Sequence, residues 1–94
     1  MELRFWDDPE TRLPHIYDHG VTEDEVRQVM AQRGLDIIEG DNTRVKVGQT
    51  LAGRHLKIVY VPDDGGWCAF VVTAYEIRGK ALRAYRRGKR RKKK

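Results

Sequence analysis

Residues 44–75 read RVKVGQTLAGRHLKIVYVPDDGGWCAFVVTAY, and the periodicity of this stretch decides the fold. Arg44, Val45, Lys46 and Val47 alternate polar with apolar, as a strand with one solvated face does. Leu56, Ile58, Val59, Tyr60 and Val61 make a second apolar run, and Trp67 to Ala74 a third. Pro62, Asp63, Asp64, Gly65 and Gly66 between them are turn formers, and Gly48 to Gly53 supplies the earlier connection. Three strands so joined predict an antiparallel meander.

Upstream the period changes to 3.6. Thr22 is a good N-cap and Glu25 completes a capping box, while Val21 and Val26 can staple the helix start. Val26, Val29 and Met30 form one apolar stripe, Glu23 and Asp24 favour the positive helix end, and Gly34 suits a left-handed stop. A helix over Glu23 to Arg33 is predicted. Before it, Arg12 to His19 suggests a short helix limited by Pro14, and Leu3, Phe5 and Trp6 a short strand closed by Asp7, Asp8 and Pro9. Downstream, Gly79 to Arg87 reads as an amphipathic helix returning Leu82 and Tyr85 to the sheet. The expectation is α+β: a small antiparallel sheet of three to four strands packed against two helices. Ninety-four residues suit one domain, placed at 1–85, with 86–94 as a disordered basic tail.

Charge is unevenly spread. Residues 1–85 hold 11 basic and 14 acidic groups, a net −3, whereas 86–94 hold eight basic groups and no acid. Inside the body, residues 1–41 carry −7 and residues 42–85 carry +4. Such a terminus suits a polyanion, with affinity that falls steeply as salt rises. Lys57, Lys80, Arg83, Arg86, Arg87, Lys89, Arg90 and Arg91 are the candidate nucleic-acid contacts. The single cysteine, Cys68, lies in an apolar run and reads as core in a reducing compartment. No apolar stretch approaches the roughly 20 residues of a membrane span, and the first residues lack a signal-peptide layout. A cytoplasmic protein with no membrane partner is expected.

His15 and His19 stand four apart, which on a helix would align two imidazoles, but no third ligand is evident, so neither a metal nor a cofactor is expected. Metal-free RNA cleavage needs a base, an acid and cations around the phosphate. His19, Arg54, His55, Tyr75, Arg78 and Lys80, all near the ends of predicted elements, have the right chemistry. Most aromatics read as core; Trp67, at the turn, is the candidate for base stacking.

His19-Gly20-Val21-Thr22 with Glu25 and Val26, then Gly53-Arg54 entering an aliphatic strand, resembles a known layout, together with Trp6-Asp7 and a late Tyr85 in a basic helix. The layout is that of the BrnT toxins of the RelE/ParE-like superfamily and a related family of small uncharacterised domains. The resemblance covers residues 5 to 85. It implies a RelE-like fold and, in toxin members, an mRNA-cleaving ribonuclease held by a cognate antitoxin, with His19 and Arg54 at motif positions. The sequence departs from the pattern at Thr73-Ala74-Tyr75, where the family carries Ser-Ala-Arg, and in its lysine-arginine tail. The catalytic candidates are therefore His19, Arg54, His55, Tyr75 and Arg78. Two other classes compete: a non-catalytic nucleic-acid-binding module working through the tail, and a protein-interaction domain presenting the acidic helix start Glu23, Asp24 and Glu25.

Overall fold

The computed structural model describes residues 2–32, 35–40, 42–63, 65 and 67–91. The chain runs through β1 (Glu2–Phe5), a 3₁₀ helix (His15–His19), α1 (Glu23–Met30), β2 (Leu35–Glu39), β3 (Thr43–Gln49), β4 (His55–Asp63), β5 (Cys68–Glu76) and α2 (Gly79–Arg91). The five strands form one sheet in the order β1-β5-β4-β3-β2.

The predicted meander is present as β3, β4 and β5, but the sheet is larger than expected and mixed. β1 adds to β5 in parallel, with Glu2 opposite Cys68 and Phe5 opposite Val71. No hairpin ties these two strands, which lie at opposite ends of the sheet-forming chain, so nothing forces an antiparallel pairing. β2 pairs antiparallel with β3 through Leu35↔Val47 to Glu39↔Thr43. Its sequence, LDIIE, lacks strict alternation, which is why periodicity does not reveal it.

The capping box forms as expected: the Glu25 N–H donates to the Thr22 hydroxyl and the Thr22 N–H donates to the Glu25 carboxylate. α1 ends at Met30, earlier than the expected Arg33; Arg33 and Gly34 lie outside the described residues. Gln32 leaves the helix to clamp β3, accepting from the Gln49 N–H and donating to the Gln49 carbonyl. Upstream, Pro14 directly precedes the 3₁₀ helix, and Gly20 closes it in the left-handed conformation. α2 continues through Arg91, beyond the expected Arg87, in a stretch rich in arginine, lysine and alanine, which are strong helix formers and outweigh the single Gly88. Residues 86–91 of the expected tail are thus helical, and 92–94 lie outside the described residues.

The sheet buries one face under the 3₁₀ helix and α1. There Ile16, Val21, Val26 and Val29 pack on Leu56, Ile58, Tyr60, Ala69, Val71 and Ala74. The opposite face receives α2, where Leu82 and Tyr85 pack with Val45, Val47, Val59 and Ile77. Gly48 lies where α1 meets β3. A Cβ there would come within 2.8 Å of both Val29 Cγ1 and Gln32 Oε1. Gly48→Ala is expected to cost about 1–3 kcal/mol by overpacking, read from urea denaturation midpoints.

A bulge in β5 sets which side chains face α2. Tyr60 pairs with Val71 but Val59 pairs with Thr73, so Val72 is an extra residue. Val71 packs in the α1-side core, and without the bulge strand alternation would send Thr73 and Tyr75 to that same face. The extra residue reverses the parity, and Tyr75 joins the α2 side. Among the described residues no helix is long and apolar enough to cross a membrane.

Candidate nucleic-acid interface

Strand alternation divides the sequence-predicted site. Arg54 and His55 are consecutive at the entry to β4, and their side chains go to opposite faces. The Arg54 Nη1 donates to both carboxylate oxygens of Glu25, at 2.9 and 2.8 Å, and to the Gly20 carbonyl at 3.0 Å. Its Nε donates to Glu76 Oε1 at 3.3 Å. Arg54 therefore ties α1, the end of the 3₁₀ helix and β5 together beneath a surface that leaves its side chain 28% exposed. Glu25 raises the guanidinium's affinity for its proton, against an opposing effect of burial, with Glu76 adding to the same side.

Glu76 also accepts from Arg78 Nη2 at 3.2 Å. That hydrogen bond is the main reason the Glu76 carboxyl sits below its ordinary value; partial burial opposes it and Arg54 reinforces it. A depressed carboxylate stabilises the fold above its unfolded-state pKa and loses that contribution as pH falls through the folded value. Stability is expected to hold down to about pH 5 and to decline below about pH 4. Urea midpoints at pH 6, 4 and 3 check this, and Glu76→Gln should make the decline shallower.

His55, Lys57 and Tyr75 lie on the α2 side, and His19 meets Tyr75 from the 3₁₀ helix. Lys57 lies directly opposite Tyr75 in the β4–β5 register, and its Nζ stands 6.0 Å from the Tyr75 ring centroid. The His19 ring stands 5.9 Å from the Tyr75 ring, and packs edge-on against His15 at 5.1 Å. His55, two residues before Lys57 on the same face, meets Tyr85 of α2 at 5.8 Å. His19 reaches Tyr75 because β1 stops at Phe5, and the 3₁₀ helix packs beside the second half of β5. The result is a lane His19–Tyr75–Lys57, with His55 and Tyr85 beyond it.

α2 supplies the cations. It contains no acidic residue, and Lys80, Arg83, Arg86 and Arg87 line a cleft on its outer side while Leu82 and Tyr85 face the sheet. A groove of about 300 Å³ runs between helix and sheet, bordered by Val45, Val47, Lys57, Ile77 and Tyr85. Arg78 is 81% exposed beside Glu76, near the junction of β5 and α2. The side chains of Lys89, Arg90 and Arg91 lie outside the described residues.

The structure thus brings Tyr75, His55 and Lys57 to the α2 side, with the His19 ring approaching Tyr75 from the 3₁₀ helix, and places Arg54 on the other face. Tyr85 as the partner of His55, and Glu25 and Glu76 as partners of Arg54, are not foreseen from sequence; the consecutive numbers of Arg54 and His55 already imply opposite directions. Of the aromatics, Tyr60 is buried as expected, whereas Trp67 is exposed at the turn and Trp6 partly so.

Comparison of the chain with protein-family models, curated proteins and solved structures finds no match.

Proposed function

We propose that this protein is an RNA-binding domain of the RelE/BrnT-like toxin type that takes single-stranded RNA along its α2 side. The observation that carries this is the juxtaposition of an acid-free basic helix with a lane of ring and amine groups on the adjoining sheet face. Phosphates would meet Lys80, Arg83, Arg86 and Arg87, which give affinity without sequence preference. A splayed base would stack on Tyr75 or His19, since any base has a face to offer.

Cleavage is the second half of the proposal. His19, His55 and Tyr75 are the groups that transfer protons, and Lys57 is the cation beside the phosphate. Arg54, the motif arginine, acts by holding the fold. A cognate antitoxin would have to cover the same surface to silence it.

The test is incubation of the full chain with a single-stranded RNA in excess EDTA, following binding by fluorescence anisotropy and cleavage by gel. Binding with cleavage that Tyr75→Phe and His19→Ala each reduce at least about tenfold supports the toxin-like proposal. Binding without cleavage leaves a non-catalytic RNA-binding module. No binding below millimolar concentration at 50 mM salt overturns both. If the tail alone were responsible, removing residues 86–94 would abolish binding while Tyr75→Ala and Lys57→Ala left it unchanged.

A further inference from the structure

His15 does not pair with His19 through a ligand as their spacing suggests; it faces two carboxylates. Its Nδ1 lies 3.3 Å from Asp18 Oδ2 and 3.8 Å from Asp8 Oδ2, and one ligand atom from each of the three residues falls within 4.8 Å of the others. Despite that proximity the Nδ1 atom is buried and makes no hydrogen bond. A proton on Nδ1 would be aimed at neither oxygen, whereas a metal ion between them satisfies all three atoms at once. Zn²⁺ binds imidazole nitrogen and carboxylate oxygen at about 2.0–2.2 Å, so two ligands of a tetrahedral ion lie roughly 3.3 Å apart. The two distances from His15 Nδ1, 3.3 and 3.8 Å, approach that spacing.

The cluster is held by backbone geometry. Asp8 Oδ1 accepts from the Glu10 N–H at 2.8 Å, which leaves Oδ2 to face His15. The Asp8 N–H donates to the Leu13 carbonyl, the Asp8 carbonyl accepts from the Arg12 N–H, and Asp7 bridges Pro14. The His15 N–H donates to the Trp6 carbonyl, and the Trp6 ring packs edge-on against the imidazole at 5.4 Å. Asp18 sits three residues on in the same 3₁₀ helix, where i and i+3 side chains eclipse. Asp8 and His15 are both partly buried, and Asp18 is exposed.

We propose that Asp8, His15 and Asp18 bind one divalent transition-metal ion, Zn²⁺ by the chemistry of the donors, leaving a coordination position for water. One neutral imidazole and two carboxylates suit Zn²⁺ or Mn²⁺ better than Ca²⁺, which prefers six or more oxygens. The ion would sit behind His19, at the end of the lane that runs to Tyr75 and Lys57. The proposal does not depend on RNA binding.

The experiment uses the full chain, stripped with EDTA and dialysed, and titrated with Co²⁺ while visible d–d absorption is recorded. One Co²⁺ per chain, displaced by Zn²⁺, is expected. Asp18→Asn and Asp8→Asn should each weaken binding roughly 10–100-fold or more, a decrease at least as large as metal sites show for an outer-shell group. Glu10→Gln, whose carboxylate is outside the cluster, should bind as the wild type does. Because the Asp8 substitution also touches the loop's own hydrogen bond, Mn²⁺ broadening of histidine ring signals in the unaltered protein gives a second readout. Selective broadening at His15, with weaker effects at His19, supports the site. Absence of a saturable 1:1 absorption band, binding indifferent to both asparagine variants, or broadening centred on His55 overturns it.

Discussion

Arg54→Ala is expected to lower unfolding free energy by about 2–3 kcal/mol, a shift of roughly 10–20 °C in melting temperature for a domain of this size. The substitution leaves two carboxylates that the guanidinium had joined, Glu25 and Glu76, and strips a donor from the Gly20 carbonyl. Glu25 is 16% exposed and also caps α1, so its unmatched charge is felt both in the core wall and at the helix start. A surface ion pair would be worth about 1 kcal/mol or less, but partial burial and four hydrogen bonds from one side chain raise the cost. Arg54→Lys should recover less than half, since an ammonium cannot span both carboxylates in one planar fork. Urea denaturation measures the change. At a temperature where the variant is folded, its RNA affinity should stay within about twofold of wild type.

Replacing Lys80, Arg83, Arg86 and Arg87 together by glutamine is expected to weaken binding to single-stranded RNA on the order of a hundredfold at low salt. Each cation withdrawn from a phosphate should flatten the slope of log K against log salt by roughly 0.7, so the four together should remove nearly three units. Glutamine is a good helix former, so α2 should persist and circular dichroism should be unchanged. The apolar side of the helix, Leu82 and Tyr85, is untouched, which keeps the packing on Val45, Val47 and Ile77. An unchanged salt slope would place the phosphates elsewhere on the molecule.

Much of the architecture is legible in the sequence because binary patterning and capping are local signals. Thr22 with Glu25 marks α1, Val45 and Val47 mark β3, and Leu82 with Tyr85 marks the inner side of α2. β2 escapes such a reading because Ile37 and Ile38 are adjacent, so the segment shows no period. The parallel docking of β1 on β5 is a long-range choice that no short window encodes. The site is partly legible for the same reasons. His55 and Lys57 share a face by simple alternation, but Tyr75 joins them only because Val72 is bulged, and VVTAY carries no glycine to announce a bulge. Arg54 has the look of a ligand-binding residue because it opens a strand beside His55; its partners come from residues 25 and 76, distant in sequence. Asp8, His15 and Asp18 are not linked by pattern, because spacings of seven and three across a loop and a 3₁₀ helix match no helical ligand motif.

If RNA lies on the α2 side of the sheet, chemical-shift mapping of the isotopically labelled chain, titrated with a short single-stranded RNA, shows it most directly. Shifts concentrated at His19, His55, Lys57, Tyr75, Tyr85 and along α2, with Glu25, Val26 and Val29 of α1 unmoved, are the predicted result. Shifts centred on α1, or none at saturating RNA, would contradict it.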